Sequence, residues 1–408
     1  MPAPLASLRV VELSNGLAPP RGLVGYGTPY AGKLFADAGA DVWLVEPPDG
    51  DPLRRWSASG ADVGDAGALF RFLAASKRSM VGALGAGPVA ELIAGADLVI
   101  ESLPAGTVEG AGLLDQPGLV VLSLSPFGRG SWQDRPATEF TVQAECGSIT
   151  ARTYPEGSLQ AGGRIAEWAA GVCGAAAALA AVRDARRTGR GTHVDVSMAE
   201  VMCICTNLFV DLMMSLADRP PLGAVGASTE FPAIERTADG WVGFNTNSAQ
   251  MFQDFLVLVD RADLAGDPTL RSDPVKRADL ERSTREWCLA RTTGEIVEEA
   301  APLRIPCVPV GDGANLPAHP HLAARDAFTK GADGDFVCPR PPYRLNGSVL
   351  PDPGPAPALG SDSPGSGSGG AARRDRPAAA VAADGSAGVQ PWAGLKVLDM
   401  TCWWAGPG

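Results

Sequence analysis

Residues 8–13 (LRVVEL), 30–38 (YAGKLFADA) and 41–45 (DVWLV) decide the fold of this chain. The first and last of these segments are short apolar runs rich in valine and leucine, which is typical of buried strands. The middle segment has helical spacing and is followed by Gly39, which marks a helix end. The order strand, loop, helix, strand predicts a βαβ unit.

The same alternation continues further along the chain. A helical turn at residues 89–94 precedes apolar strands at 96–101 and 119–124, and a long alanine-rich helix over 163–187 leads to an alternating strand at 193–198. Strands that alternate with helices predict an α/β fold with a mainly parallel sheet, covered on both faces.

The length of 408 residues indicates more than one domain. We predict that residues 1–225 form the N-terminal part of a large domain and that residues 226–310, where the sequence texture changes, form a small α+β domain. Residues 311–352 are predicted to return to the large domain. Residues 353–390, dominated by Ala, Gly, Ser, Pro and Asp, are predicted to be a flexible linker, because such a composition buries too little apolar surface to order the chain.

A repeat follows this linker. Residues 391–408 (PWAGLKVLDMTCWWAGPG) match residues 4–21 (PLASLRVVELSNGLAPPR) in order, with identities such as Leu8/Leu395 and Val10/Val397. A repeat at this spacing indicates duplication of a whole domain. We expect a tandem protein in which the second copy stops after its first strand and loop.

Charge and composition exclude several classes of function. The net charge of −12 disfavours a nucleic-acid partner. The first thirteen residues lack the features of a signal peptide, and the apolar stretch 168–182 is too short to span a bilayer, so we expect a cytoplasmic protein that does not bind membranes.

Metal and thiol chemistry are also not indicated. The eight cysteines contain no C-x-x-C pair and are predicted to be reduced, mostly buried thiols. His319 and His321 give only a weak metal signal, and we expect no metal site.

Several segments together resemble one known family. These are residues 29–54 (PYAGKLFADAGADVWLVEPPDGDPLR), 76–79 (SKRS), 96–106 (ADLVIESLPAG), 123–128 (SLSPFG) and 187–197 (RTGRGTHVDVS). In their order and spacing they resemble the class III coenzyme A transferases of the CaiB/BaiF type, over roughly residues 4–360.

The resemblance implies both a fold and an activity. The fold would be a Rossmann-like large domain, built from N- and C-terminal segments, plus a small domain. The activity would be the transfer of coenzyme A between an acyl-CoA and a carboxylic acid, through mixed-anhydride and enzyme-thioester intermediates on one carboxylate. The resemblance also implies an interlocked homodimer, or a pseudo-dimer with the second repeat, and no metal.

The residue that matches the family's nucleophile is Glu167, in residues 166–171 (AEWAAG), where the family has Asp. A carboxylate beside an apolar helical run is costly when it is buried without a partner. It is therefore paired, functional or solvated, and the last alternative is a glutamate favoured by the positive end of the helix. The resemblance favours the active site.

Other matching positions are predicted to bind substrate. Glu139, in residues 135–140 (RPATEF), would position acyl groups, with a structural carboxylate at a helix start as the alternative. Arg54, Lys77 and Arg78 would bind phosphates of the coenzyme, unless they are solvated surface cations. Ser102 stands where the family has a coenzyme-binding Asn.

Two other functions remain open at this point. This copy of the domain could be a catalytically impaired scaffold, with the second copy carrying an intact Asp. An acyl-CoA racemase is less favoured, because Thr138 stands where racemases of this fold have the His that would act as an acid or base.

Overall fold

A computed structural model of the chain describes residues 3–17, 25, 27–85, 87–149, 153–154, 157–206, 231–246, 248–270, 273–363, 391–392 and 394–398. The chain divides into two compact units. The larger comprises Met1–Val225 and Ala327–Gly408, and the smaller comprises Gly226–Asp326.

The larger unit contains a six-stranded parallel sheet. Its strands are β1 (Arg9–Leu13), β2 (Asp41–Glu46), β3 (Arg78–Val81), β4 (Leu98–Glu101), β5 (Val120–Ser125) and β8 (Thr192–Ser197), in the order β3-β2-β1-β4-β5-β8. Short hairpins are formed by β6 (Thr153–Tyr154) with β7 (Gly157–Ser158), and by β12 (Phe328–Lys330) with β13 (Val337–Pro339). The α/β prediction with a mainly parallel sheet is confirmed.

Helices accompany this sheet. They are α1 (Gly27–Asp37), α2 (Ala68–Leu73), α3 (Gly87–Ala94), α4 (Thr107–Gly110), α5 (Glu139–Glu145), α6 (Ile165–Thr188) and α7 (Met198–Thr206). Successive strand residues point to opposite faces of the sheet. Accordingly Val10 packs in a core with α1 and α6, whereas Val11 packs in another core with α3. Both faces of the sheet are therefore covered.

Glycines allow α6 to lie close to its neighbours. A Cβ atom on Gly171 would lie 2.8 Å from the carbonyl oxygen of Gly27 in α1. A Cβ atom on Gly174 would lie 3.2–3.4 Å from side-chain atoms of Leu122 and Leu124 in β5. Close packing against α1 and the sheet therefore requires small residues at these two positions of α6.

By length and composition, α6 is also apolar enough to cross a membrane. It is the one helix of this kind in the described part of the chain. More than half of the relevant window, 56%, is buried inside the protein. This packing accounts for its composition, as in the core helix of a soluble domain, so the helix is weak evidence for a span.

The smaller unit contains a three-stranded antiparallel sheet of β9 (Ile234–Arg236), β10 (Trp241–Phe244) and β11 (Cys307–Pro309), in the order β11-β10-β9. Its helices are α8 (Ala249–Leu258), α9 (Pro274–Leu289), α10 (Thr293–Ala300) and α11 (Pro320–Ala324). Its core includes Phe255, Leu256 and Ile296. The chain joins the larger unit at Ala327, later than the predicted residue 311, because residues 311–326 form local turns and α11 before β12 begins.

The start of the predicted linker is ordered against the sheet. The backbone N–H of Asp362 donates to Ser79 O at 2.9 Å, and Arg54 Nη1 donates to Pro357 O at 3.3 Å. The prediction of a flexible linker is therefore wrong for residues 353–363, because they form hydrogen bonds with β3 at the edge of the sheet. Residues 364–390 lie outside the described residues.

The repeat is described only in part. Residues 394–398 are not in a strand, although their counterparts lie in or next to β1, and Val397 and Leu398 are more than four-fifths exposed. Residues 399–408 lie outside the described part. The repeat therefore stays a prediction that rests on the sequence.

The expectation of mostly buried cysteines is partly wrong. No described cysteine is in a disulfide, and Cys288, Cys307 and Cys338 are buried, Cys146 is half-buried, and Cys173, Cys203 and Cys205 are exposed. Cys173 lies on α6, and Cys203 and Cys205 lie on α7.

Candidate active site

A cavity of about 530 Å³ lies in the larger unit, at the carboxyl ends of the parallel strands. Its walls come from the loops after β1, β2, β4 and β5, and include Asn15, Asp49, Arg55, Ser102, Ser125 and Arg129. The chain runs from β1 outward to β2 and β3 and then crosses to β4 on the other side of β1. Parallel sheets bind ligands where the strand order reverses in this way.

Ser102, predicted to bind the coenzyme, lines this cavity. It follows β4, and its hydroxyl donates a hydrogen bond to Asn15 Oδ1 in the loop after β1. This bond ties together the two loops on either side of the strand reversal.

Arg129 brings a positive charge to the same cavity. Its Nη2 donates to Glu101 Oε1 at 2.7 Å, and its Nε is buried without a hydrogen-bond partner among the described residues. Glu101 is fully buried at the end of β4 and also accepts from Ser123 and from the Leu103 N–H. Burial raises the pKa of Glu101, and these hydrogen bonds and the nearby guanidinium oppose that rise.

His193 on β8 adjoins this cluster. Its Nε2 lies 2.9 Å from Ser123 Oγ, and burial lowers its pKa. Of these clustered residues, Arg129 is the one that lines the cavity. Arg55 and Arg135 add two more guanidinium groups to its walls.

The predicted phosphate ligands Arg54 and Lys77 lie elsewhere and are buried. Arg54 pairs with Glu46 at 2.6 Å, and Lys77 pairs with Glu12 at 2.6 Å, with side chains at most 3% exposed in both pairs. Burial of Lys77 lowers its pKa, although Glu12 opposes the shift. These ion pairs give both cations a structural explanation and count against the prediction that they bind phosphates.

Arg78 is partly exposed but also contacts acidic residues. Its Nε lies 3.0 Å from Asp41 Oδ1, its Nη1 lies 3.8 Å from Asp362, and its guanidinium stacks over Trp43. It does not line the cavity described above. Its role toward the coenzyme stays a prediction.

Glu167, the predicted nucleophile, is fully buried in the first turn of α6. Its Oε1 accepts a hydrogen bond of 2.9 Å from Arg164 Nε, and Arg164 Nη2 contacts the same oxygen. The alternative of a solvated glutamate is therefore wrong, because a buried carboxylate requires such a charged partner.

This turn of α6 lies beside the cavity. A Cβ atom on Gly27 would lie 3.1 Å from Glu167 O and 3.7 Å from both Leu124 Cδ2 and Met198 Cε. Leu124 and Met198 also line the cavity. Glu167 itself does not line the cavity, but its backbone lies near two residues that do.

Glu139 lies next to the same turn. Its Oε1 accepts from the Ala166 N–H at 2.9 Å and from Gln143 Nε2 at 2.7 Å. Its Oε2 is buried and has no hydrogen-bond partner among the described residues. Two buried carboxylates, one with an unsatisfied oxygen, therefore meet at the start of α6, where a substrate could supply the missing donor.

The sequence pattern missed Arg129, Arg55, Arg135 and Arg164. One signal could have found Arg129 and Arg55, since both follow the carboxyl end of a predicted parallel strand. Within the described residues there is no group of three or more His, Cys, Asp or Glu side chains that could hold a metal ion.

Several known proteins are similar to this chain in sequence and in fold. The model of CoA-transferase family III matches residues 5–363. Succinyl-CoA:mesaconate CoA-transferase of Haloarcula hispanica is 29% identical over 374 residues, which cover 86% of this chain and 92% of that protein. The beta subunit of succinyl-CoA–L-malate CoA-transferase of Chloroflexus aurantiacus is 28% identical over 344 residues, which cover 79% and 82%. A CAIB/BAIF family protein of Brucella suis has a similar structure, with a TM-score of 0.70 at 26% identity, covering 86% of this chain and 95% of that one.

Proposed function

Because the chain belongs to CoA-transferase family III, we propose that it moves coenzyme A from an acyl-CoA to a carboxylic acid and that Glu167 carries the group. The observation that supports this proposal most directly is the burial of Glu167, which is ion-paired at the start of α6 beside the cavity. A buried carboxylate is shielded from water, so an activated acyl group on it resists hydrolysis.

The proposed reaction uses the carboxylate as a nucleophile. A Glu167 oxygen attacks the thioester carbonyl, the C–S bond breaks, and a mixed anhydride and the coenzyme thiolate form. The thiolate then attacks the Glu167 carbonyl, which releases the first acid as a carboxylate and leaves a glutamyl thioester. The acceptor carboxylate reverses these steps, so that the new acyl-CoA leaves and Glu167 is regenerated.

The substrates are assigned by class. The curated relatives named above use succinyl-CoA, so we propose succinyl-CoA as the donor to test first. Glu139 is proposed to position the acyl groups through its unsatisfied Oε2, and Ser102 to contact the coenzyme in the cavity.

The wider organisation is proposed from the resemblance and the repeat. We propose a cytoplasmic protein that assembles as an interlocked dimer, or as a pseudo-dimer with a second copy whose start is residues 391–408. A racemase is not proposed, because the Thr138 hydroxyl caps α5 and offers no acid or base.

A trapping experiment tests the role of Glu167. The protein is incubated with succinyl-CoA, treated with borohydride, which reduces a glutamyl thioester to an alcohol, and digested for mass spectrometry. We expect the reduced residue at position 167 in the wild type and in Asp184→Asn, a change at the far end of the same helix. We expect no such product in Glu167→Gln.

The opposite result has a defined meaning. If the wild type binds coenzyme A but position 167 stays unmodified, the transfer chemistry proposed for this copy is wrong. The scaffold alternative would then be favoured, in agreement with the replacement of the family's Asp by Glu.

A further inference from the structure

We propose that Arg164 binds the carboxylate of the acceptor acid, and that it does so once Glu167 has become a neutral thioester. This inference deepens the proposed function and rests on it. It is carried by the ion pair between these two residues and by the difference in their exposure.

The two partners are buried to different extents. The Glu167 side chain is 0% exposed, whereas the Arg164 side chain is 25% exposed. Arg164 is therefore the partner whose side chain a small acid can contact from the surface. A planar guanidinium with several donors suits a carboxylate.

The backbone of Arg164 is unusual for its residue type. Arg164 precedes α6 in the left-handed conformation, with φ 57° and ψ 50°, and it provides no side-chain cap to the helix. This conformation is disfavoured for a residue with a long side chain. With this backbone conformation, the Arg164 guanidinium lies against Glu167, three residues further along the chain.

Charge conservation then gives Arg164 a second task. When acyl-CoA reacts with Glu167, the negative charge of Glu167 leaves with the released acid, and the glutamyl thioester is neutral. Arg164 keeps its positive charge but loses this ion pair. A carboxylate that binds there restores the balance, and its oxygen lies next to the thioester carbonyl that it must attack.

The ion pair between Arg164 and Glu167 would also determine when the acceptor acid binds during the reaction. Before the first step, Glu167 competes with any free acid for Arg164. After that step the competition ends. Acid affinity would thus increase only in the form of the enzyme that carries coenzyme A, and would fall again when attack on the new anhydride regenerates the Glu167 carboxylate.

A binding experiment tests this inference without turnover. Glu167→Gln imitates the neutral charge of the thioester and keeps the size of the glutamate side chain. Succinate is the probe, and its binding is followed by isothermal titration calorimetry. We expect Glu167→Gln to bind succinate at least about tenfold more tightly than the wild type, the size of one charge-assisted hydrogen bond. We expect Glu167→Gln combined with Arg164→Asn to lose this gain, since Asn tolerates the left-handed backbone but carries no charge.

Two results would overturn the inference. One is equal succinate affinity in the wild type and in Glu167→Gln. The other is a gain in affinity that persists in the double variant. Neither result depends on whether the borohydride experiment detects a thioester, so failure of this inference and failure of the proposed function can be distinguished.

A kinetic experiment adds a matched control. In Arg164→Asn we expect the acid concentration that half-saturates turnover to rise about tenfold or more, and in Arg164→Lys we expect partial recovery. Arg187→Gln removes the other i,i+3 ion pair of α6, between Arg187 and Asp184, and should leave this concentration unchanged. An unchanged acid dependence in Arg164→Asn would contradict the inference.

Discussion

Glu101 and Arg129 form an ion pair of 2.7 Å that joins the buried end of β4 to the loop after β5. Glu101 holds Nη2 of this guanidinium, and Arg129 also lines the cavity. Glu101 therefore holds the Arg129 guanidinium in place at the strand reversal, so that an anionic ligand does not have to order it.

This relationship predicts the effect of removing the cation. Arg129→Gln should weaken the binding of coenzyme A about tenfold or more, because a charge-assisted hydrogen bond to a phosphate is lost. Titration calorimetry at low and high salt measures it, and the difference from the wild type should shrink at high salt. Arg187→Gln is the control, and equal affinity of Arg129→Gln and the wild type would refute the role of Arg129.

The length of the Glu167 side chain should matter for rate. Glu167→Asp withdraws the carboxylate by about one C–C bond, away from Arg164. We expect turnover to fall about 100-fold, because misplacement of a reacting group by about 1 Å costs that much. Steady-state kinetics with succinyl-CoA measures it. Turnover faster than in the wild type would show that this site is built for the shorter residue.

Close packing of α6 predicts a stability effect. Gly171→Ala places a methyl group 2.8 Å from Gly27 O, and the backbone of α1 must move to admit it. We expect a loss of about 1–3 kcal/mol in the free energy of unfolding, measured by urea denaturation. Gly110→Ala, whose Cβ would meet nothing within 4 Å, is the control and should lose nothing. Equal stability of the two variants would contradict the packing argument.

The buried pair of Lys77 and Glu12 predicts a pH-dependent stability. Lys77→Met leaves Glu12 buried without its cation and should destabilise the fold by about 3–5 kcal/mol. Burial already raises the pKa of Glu12, and loss of Lys77 removes the main opposing charge. A carboxyl whose pKa is raised in the folded state contributes stability below its unfolded pKa and loses it as the pH rises through the folded pKa.

The loss in Lys77→Met should therefore be larger at pH 8 than at pH 5, as measured by denaturation at both values. Lys77→Met combined with Glu12→Gln lacks this carboxyl and should show a smaller difference, to which Asp37 and Asp51 still contribute because Lys77 also lowers their pKa values. A loss that is independent of pH in the single variant would mean that Glu12 is not the group responsible.

Thiol reactivity should differ between the buried cysteines of the smaller unit and the exposed Cys203. Burial raises the pKa of Cys288 to about 12 and that of Cys307 to about 11. We expect both to resist iodoacetamide at pH 8 in the folded protein, and to react after denaturation, because the thiolate is the reactive form. Cys203 is exposed and is the reference for reaction without unfolding. Peptide mass spectrometry measures the labelling, and rapid labelling of native Cys288 would contradict the burial.

The sequence by itself determined the order of elements. Valine-rich runs such as residues 8–13 and the alanine-rich run before Thr188 show their periodicity locally, so β1, β2, β4, β5 and α6 were predictable. Local periodicity needs no knowledge of neighbours in space.

Only the tertiary structure decided the partners of the charged groups. Lys77, which precedes β3, meets Glu12 of β1, and Arg54, in the turn after β2, meets Glu46 at the end of that strand. Sequence motifs give residue types but not these distances. They therefore did not show that the cations predicted to bind phosphates are buried in ion pairs. Arg129 and Arg164, which no motif singled out, became visible as site residues only once the fold brought each to a buried glutamate.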